Sequence, residues 1–349
     1  MLNEHTAELI RDIIRNKITK GPPAAIININ SVCNLRCEFC WIHSPLKKDR
    51  IKPYHVSFTS IKKILDELKS MGTNQISLSA DGEPWLNPEI VDIINYIKNN
   101  NFFLRITTNL TFNNKAIQSA FARSDMLDIN FSAPNENIYN KIQNPNKKIL
   151  YNNLINNLTV YSKLYKKRKK PLLEINYVIT KNNYSYLTKM LTLVDKLKIR
   201  NIRFRILDTT QCTKKLFLKK SEIFSLKKII EQALAKKFKA NHNLEEINNY
   251  LDDAGKVSFN LERCFIGWLT VSIESNGDIG LCCQHGNLII GNWKNQSISE
   301  SWYSQKANEL RLKAKNNFAI NDKFWHSCLF CCSEKKNKEI DSLLKRFNA

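Results

Sequence analysis

The sequence predicts an α/β fold followed by a smaller, cysteine-rich C-terminal part. Three observations carry that reading. Short apolar runs alternate with stretches of helical period, the rhythm of parallel βα units. Hydrophobic residues make up 43% of the 349 residues and charged residues 25%, enough apolar material for a full core. Nine of the ten cysteines gather near the two ends, three between 33 and 40 and six from 264 onward.

Taken in order, Leu9, Ile10, Ile13 and Ile14 fall at helical spacing and predict an amphipathic helix over 5–17, stopped by Pro22 and Pro23. Residues 25–29 form a buried first strand that runs into Cys33. A helix follows over 60–68, with Gly72 at its C-cap. Further strands are expected at 75–79, 103–108, 127–132, 173–180 and 202–207, separated by helical patterns such as 88–99. Residues 216–260 read as a lysine-rich, mostly helical connector. From 261 the chain turns to cysteine-rich turns and a short hairpin with Gly277-Asp278 at its tip. The expected domains are therefore 1–215, 216–260 and 261–349.

No run approaches the ~18 apolar residues of a membrane span. Met1-Leu2-Asn3-Glu4-His5 lacks the basic and apolar regions of a signal peptide. The expectation is a cytoplasmic protein without a membrane partner. In a reducing compartment ten cysteines point to metal or catalysis rather than disulfides. The net charge of +22 admits nucleic acid, anionic lipid or an acidic protein as partner. Asn, Lys and Ile crowd the whole chain, and its densest basic run, Lys166-Lys167-Arg168-Lys169-Lys170, joins a helical stretch to a strand as a solvated corner. A zinc-stabilised nucleic-acid binder would interleave aromatics with Lys and Arg on one strand face. No such face is visible, so nucleic acid is not expected.

Cys33-Asn34-Leu35-Arg36-Cys37-Glu38-Phe39-Cys40 sets three thiols at C-x3-C-x2-C spacing, with an aromatic just before the third. A four-iron cluster usually takes four thiolates, so three leave one iron open to an outside ligand. The alternative is a zinc site or scattered buried thiols. The stretch resembles the motif of the radical SAM enzymes, whose partial (β/α)6 barrel matches the six strands. The resemblance implies a 4Fe-4S cluster on Cys33, Cys37 and Cys40. S-adenosylmethionine (SAM) would bind it through its amino and carboxylate groups and be cleaved reductively to a 5′-deoxyadenosyl radical. It also implies an acidic electron donor, a flavodoxin or ferredoxin, for which a basic docking face is suited.

Ala80-Asp81-Gly82-Glu83-Pro84 follows the second strand, where the family carries a Gly-Gly-Glu-Pro-like turn that accepts hydrogen bonds from SAM's amino group. Gly82 and Glu83 are kept, while Ala80 and Asp81 replace the leading glycines. The same resemblance sets Phe39 against the adenine, Asn109 near the ribose and Ser132 at the methionyl carboxylate. Cluster shielding for Phe39 and strand-end capping for the other two are the alternatives. Relatives often place an arginine shortly after the fourth strand to pair with that carboxylate. This chain has Gln143 there, with Lys147 and Lys148 nearby.

Cys264, Gly277 and Cys282 read C-x12-G-x4-C, and Cys328 and Cys331 add a C-x2-C pair. With Gly291-Asn292 and Ser297-Ile298-Ser299-Glu300-Ser301-Trp302, they resemble the SPASM/twitch region of many radical SAM enzymes. That implies an auxiliary 4Fe-4S cluster on Cys264, Cys282, Cys328 and Cys331, in the shorter twitch form. Cys283 and Cys332 adjoin two of these, so each choice is open by one residue. A four-cysteine zinc site is the structural alternative. Cys212 reads as a small buried hydrophobe, and Cys283 as an alternative hydrogen-atom donor.

The layout implies hydrogen abstraction from an unactivated C–H bond, with the auxiliary cluster taking the second electron in a net oxidation. Little chain precedes the first strand, too little for a separate leader-binding domain. The expected substrate is accordingly a small polyhydroxylated molecule, a sugar or cyclitol. A peptide maturase or a redox-neutral epimerase is the alternative. Arg205, near the end of the sixth strand, and Asn176, inside the fifth, are candidate substrate contacts. For Arg205 the alternative is a salt bridge to Asp208 or an outward face.

Overall fold

The computed structural model describes residues 4–49, 51–79, 81–143, 149–207, 212–257, 261–283, 288–316 and 333–347. Its strands are β1 (Ala24–Asn28), β2 (Gln75–Ser79), β3 (Phe103–Thr108), β4 (Met126–Asn130), β5 (Leu172–Ile179), β6 (Asn201–Ile206), β7 (Asn241–His242), β8 (Thr270–Ile273), β9 (Asp278–Gly280) and β10 (Ile289–Asn292). All six expected strands are present, within two residues of their expected bounds. The chain forms two compact units that interleave along the sequence. One comprises Met1–Asn28, Ser57–Ser77 and Phe259–Ala349, the other Ile29–Val56 and Leu78–Ser258.

In the larger unit β3, β4, β5, β6 and β7 pair in parallel in that order. Alternate side chains, Leu104, Ile106, Leu127, Ile129, Leu173, Ile175, Ile202 and Phe204, are almost fully buried and form the face packed by helices such as Ile90–Asn99 and Ile149–Arg168. The other alternation carries Arg105, Thr107, Asp128, Asn130, Glu174, Asn176, Arg203 and Arg205. Parallel sheets usually bury two apolar faces. Here the second face carries charged and polar side chains instead. Across it Arg105 pairs with Asp128 and, at 3.7 Å, with Glu174, which lies 3.8 Å from Arg203. The connector contains the helices Lys220–Leu234 and Leu244–Asn249, and also supplies β7 as an edge strand.

In the smaller unit β1 pairs in parallel with β8, Ala24 opposite Thr270, and β8, β9 and β10 continue antiparallel. The pairing with β1 was not expected, because Thr270–Ile273 is too short an apolar run to distinguish from a hairpin arm. The hairpin itself is present, with Gly277 at φ +114°, a conformation L side chains rarely adopt. The first helix, Glu4–Ile14, ends earlier than its periodicity suggested, because Asn16 turns the chain at φ 56°. Ile10 and Ile13 pack with Phe265, Trp268, Ile340 and Leu344. Beside them Trp302 Nε1 donates to Lys20 O at 3.0 Å. The buried Arg311 donates to Gly267 O and Trp302 O and lies 4.2 Å over the Trp302 ring.

Candidate active site

The cysteine loop belongs to the larger unit. Cys33, Cys37 and Cys40 are each partly buried and feel one another's charge. Burial first, then the Glu83 carboxylate and Cys40, push the Cys33 thiol up to about 12. Burial followed by Cys40 and Cys33 raises Cys37, and burial raises Cys40. Thiols held this close in a dry site ionise once a cation arrives to share the charge. Two of the three sulfurs face backbone N–H donors. Leu35 N lies 3.4 Å from Cys33 Sγ, and Ile42 N and His43 N lie 3.4 and 3.2 Å from Cys40 Sγ. Such donors suit the sulfurs of an iron–sulfur cluster. Among the described residues no three His, Cys, Asp or Glu side chains converge on a point for a single metal ion. The ligands of a cubane each meet a different iron and stand farther apart.

The turn after β2 is laid directly on this loop. A Cβ on Gly82 would stand 2.0 Å from Val32 O, so only glycine lets the two backbones meet there. Glu83 N donates to Val32 O at 2.7 Å, and Asn30 Nδ2 donates to Glu83 O at 2.8 Å. The His43 ring lies 2.8 Å from Asp81 O through Nε2. Ala80 lies outside the described residues. The Glu83 carboxylate is buried and accepts from Thr108 Oγ1 at 2.5 Å and Asn109 N at 2.6 Å. Burial pushes it up to about 8. Its side chain thus ties the β2 turn to the end of β3.

Asn109 also stands in this network. Its Nδ2 donates to Asn34 Oδ1 at 2.8 Å, and its Oδ1 accepts from Trp85 Nε1 at 3.2 Å. Ser132, just past β4, has its Oγ accepting from Val178 N at 3.0 Å. Phe39 lies half-buried in the cysteine loop. Gln143 is fully buried, with Oε1 accepting from Ser132 N at 2.9 Å and Nε2 donating to Asn130 O at 3.1 Å. Its carboxamide is thus committed to the backbone at the end of β4. Lys147 and Lys148 lie outside the described residues. Sequence reasoning missed Glu38, whose carboxylate accepts from Asn182 Nδ2 at 2.9 Å and Thr180 Oγ1 at 3.4 Å, linking the cysteine loop to the turn after β5. It also missed Asn30, Asn34 and Asn183; the asparagine richness of the whole chain hid them.

On the polar face Arg205 Nε donates to Asn176 Oδ1 at 3.3 Å. Asp208 lies outside the described residues. Cys212 is half-buried rather than buried, and close enough to Cys40 to add to the rise in its pKa. In the smaller unit Cys264 and Cys282 are buried and Cys283 is half-buried. Asn337 Nδ2 points to Cys264 Sγ at 3.8 Å, and Cys264 N donates to Ala314 O at 3.0 Å. Cys328, Cys331 and Cys332 lie outside the described residues.

A parallel α/β fold with a nest of thiols at one end of its strands defines the class, an iron–sulfur protein. Residues 27–194 match the family model of the Radical SAM superfamily, and residues 264–333 match that of the SPASM iron-sulfur cluster-binding domain. The second match takes in all six C-terminal cysteines. The chain belongs to the radical SAM superfamily and carries a C-terminal SPASM domain. It is thus an enzyme, with SAM, a 4Fe-4S cluster and auxiliary iron–sulfur as its cofactors. A curated relative, the S-adenosylmethionine-dependent nucleotide dehydratase of Selenomonas ruminantium, is 31% identical over 112 residues, 31% of this chain. The match spans 39% of that relative's length.

SuiB of Streptococcus suis, solved with S-adenosylmethionine, shares the fold over 96% of this chain and 78% of its own, at a TM-score of 0.66 and 17% identity. SuiB has also been solved with its precursor peptide SuiA. Native anSMEcpe with bound AdoMet matches over 93% of this chain and 100% of its own, at a TM-score of 0.64 and 15% identity. It too has been solved with a peptide, Kp18Cys. Among the described residues no helix is long and apolar enough to cross a membrane.

Proposed function

We propose that this chain abstracts a hydrogen atom from a peptide. Cys33, Cys37 and Cys40 hold the 4Fe-4S cluster; Gly82, Glu83, Phe39, Asn109 and Ser132 form the SAM site. The carrying observation is the contact of the Gly82 turn with Val32, which sets a strand-end turn against the three-thiol loop. When bound, the cluster and SAM supply a 5′-deoxyadenosyl radical. The protein's part is placement and the exclusion of water. Glu83 fixes the ends of β2 and β3 together, and Glu38 fixes the loop to the turn after β5. Arg205 and Asn176, on the polar face of the sheet, contact substrate. Cys264 and Cys282, with Cys328 and Cys331, would hold an auxiliary 4Fe-4S cluster, which would supply one-electron redox chemistry for a net oxidation. The peptide reading is favoured by SuiB and anSMEcpe, both solved with peptides and alike in fold over more than nine-tenths of this chain. The net charge of +22 suits a flavodoxin or ferredoxin donor, and the cysteine-rich, reducing-compartment composition suits the cytoplasm.

A second reading keeps the small polyhydroxylated substrate, supported by the partial match to a nucleotide dehydratase. The test is deuterium transfer. Reconstituted protein is reduced with SAM and either a deuterated peptide pool or a set of deuterated nucleotides, sugars and cyclitols. Deuterium in 5′-deoxyadenosine from the peptides is expected. Transfer only from the small molecules would overturn the peptide reading in favour of the second.

A further inference from the structure

The polar face of β3–β6 is a ladder of charge. Its strands are parallel and in register, so its side chains fall in rows that climb toward the strand ends. Asp128 stands opposite Glu174, the next row holds Asn130, Asn176 and Arg203, and Arg205 stands highest, opposite Val178. The ladder ends beside the candidate SAM site, because Ser132 Oγ accepts from the N–H of that same Val178 at 3.0 Å.

Both carboxylates of the ladder are already answered. Arg105 pairs with Asp128 and reaches Glu174 at 3.7 Å, and Arg203 lies 3.8 Å from Glu174. The third guanidinium, on Arg205, has only a neutral partner. Its Nε donates to Asn176 Oδ1 at 3.3 Å, and among the described residues no carboxylate forms an ion pair with it. Asn176 is buried and Arg205 half-buried, so the carboxamide takes the stem side of the guanidinium and leaves its terminal NH2 groups. Those groups form a planar fork that matches the two oxygens of a carboxylate. A cation partly withdrawn from water gains most from an anion that joins it there.

We propose that Arg205 is a specificity-determining residue that binds a carboxylate of the peptide substrate, an Asp or Glu side chain or the C-terminus. It thereby holds a neighbouring C–H bond at the SAM site. The proposal rests on the peptide reading above.

The experiment uses full-length, anaerobically reconstituted protein, reduced with SAM and one of three deuterated peptide pools of equal length. The first pool carries Asp and Glu and a free C-terminus. The second has Asn and Gln in their place, and the third keeps Asp and Glu but ends in a carboxamide. The readout is deuterium in 5′-deoxyadenosine. Carboxamide keeps the shape of carboxylate and removes its charge, so transfer is expected to fall about tenfold in one altered pool. A fall in the second pool assigns the side chain, and a fall in the third assigns the C-terminus. Equal transfer from all three overturns the proposal and leaves the peptide reading standing. No transfer from any pool overturns the peptide reading, and the proposal with it.

A second arm compares proteins. In Arg205→Gln the ratio between the first pool and the affected pool is expected to collapse to about one, and in Arg205→Lys, which keeps the charge without the fork, to shrink severalfold. Each ratio is taken within one protein, so lower cluster loading does not move it. A wild-type ratio in Arg205→Gln, or in Arg205→Lys where the glutamine variant does not fold, overturns the role of Arg205.

Discussion

The larger unit draws three thiols from eight consecutive residues, whereas the smaller unit carries Cys264 and Cys282 on either side of a hairpin, with the other cysteines of its motif far along the chain. In the first region the loop's own backbone supplies most of the donors to sulfur, and one turn at Gly82 sets the neighbouring strand end. In the second, both cysteines are buried, and Cys264 is held from far along the chain, by Asn337 at its sulfur and Ala314 O at its N–H. A local nest depends on a few backbone contacts; a dispersed one depends on the stability of its whole unit.

The largest expected effect separates the two. Cys37→Ala should abolish 5′-deoxyadenosine formation and remove about four irons per chain. Cys264→Ala with Cys282→Ala should lower iron while leaving substrate-free cleavage of SAM. If both variants lose cleavage equally, the regions are not independent and the comparison fails. Next comes Gly82→Ala. The added Cβ must displace Val32 O, and a shift of about 1 Å near reacting groups can cost on the order of 100-fold. Weakened SAM binding by calorimetry, with iron content intact, is the expected readout.

Arg311→Leu probes the dispersed region. It strips hydrogen bonds from Gly267 O and Trp302 O and removes the cation over the Trp302 ring. A loss of about 2–4 kcal/mol is expected, seen as a lower unfolding midpoint. Glu83→Gln gives a comparable or smaller effect, dependent on pH. Burial raises Glu83 from the usual 4.5 to about 8, so the folded state holds a proton that the unfolded chain has released. Its contribution is fully present below about 4.5 and is lost as pH rises towards 8, at up to about 1.4 kcal/mol per pH unit. The variant should flatten that decline in melting experiments on the cluster-free protein.

Much of the larger unit was legible in sequence. Its parallel strands read as apolar runs bounded by helical periods, and its cysteine motif is contiguous. The same patterns could not show that Gln143 turns inward, that the Glu83 carboxylate is committed to Thr108 and Asn109, or that Glu38 bridges to Asn182. Those facts depend on which strand ends meet, and an asparagine or glutamine carries no periodic signal of its partner. In the smaller unit the hairpin at Gly277 was legible because only a few residues tolerate that turn. The parallel pairing of β8 with β1 was not, since it joins segments some 240 residues apart through a four-residue strand.

The account turns on Cys33, Cys37 and Cys40 holding a cluster that cleaves SAM. The most direct test is to reduce anaerobically reconstituted protein in the presence of SAM and quantify 5′-deoxyadenosine and methionine, for the wild type and for Cys37→Ala. The account predicts both products in equal amounts from the wild type and none from the variant. Equal cleavage by the two proteins, or none by a wild type that carries its full complement of iron, would contradict it.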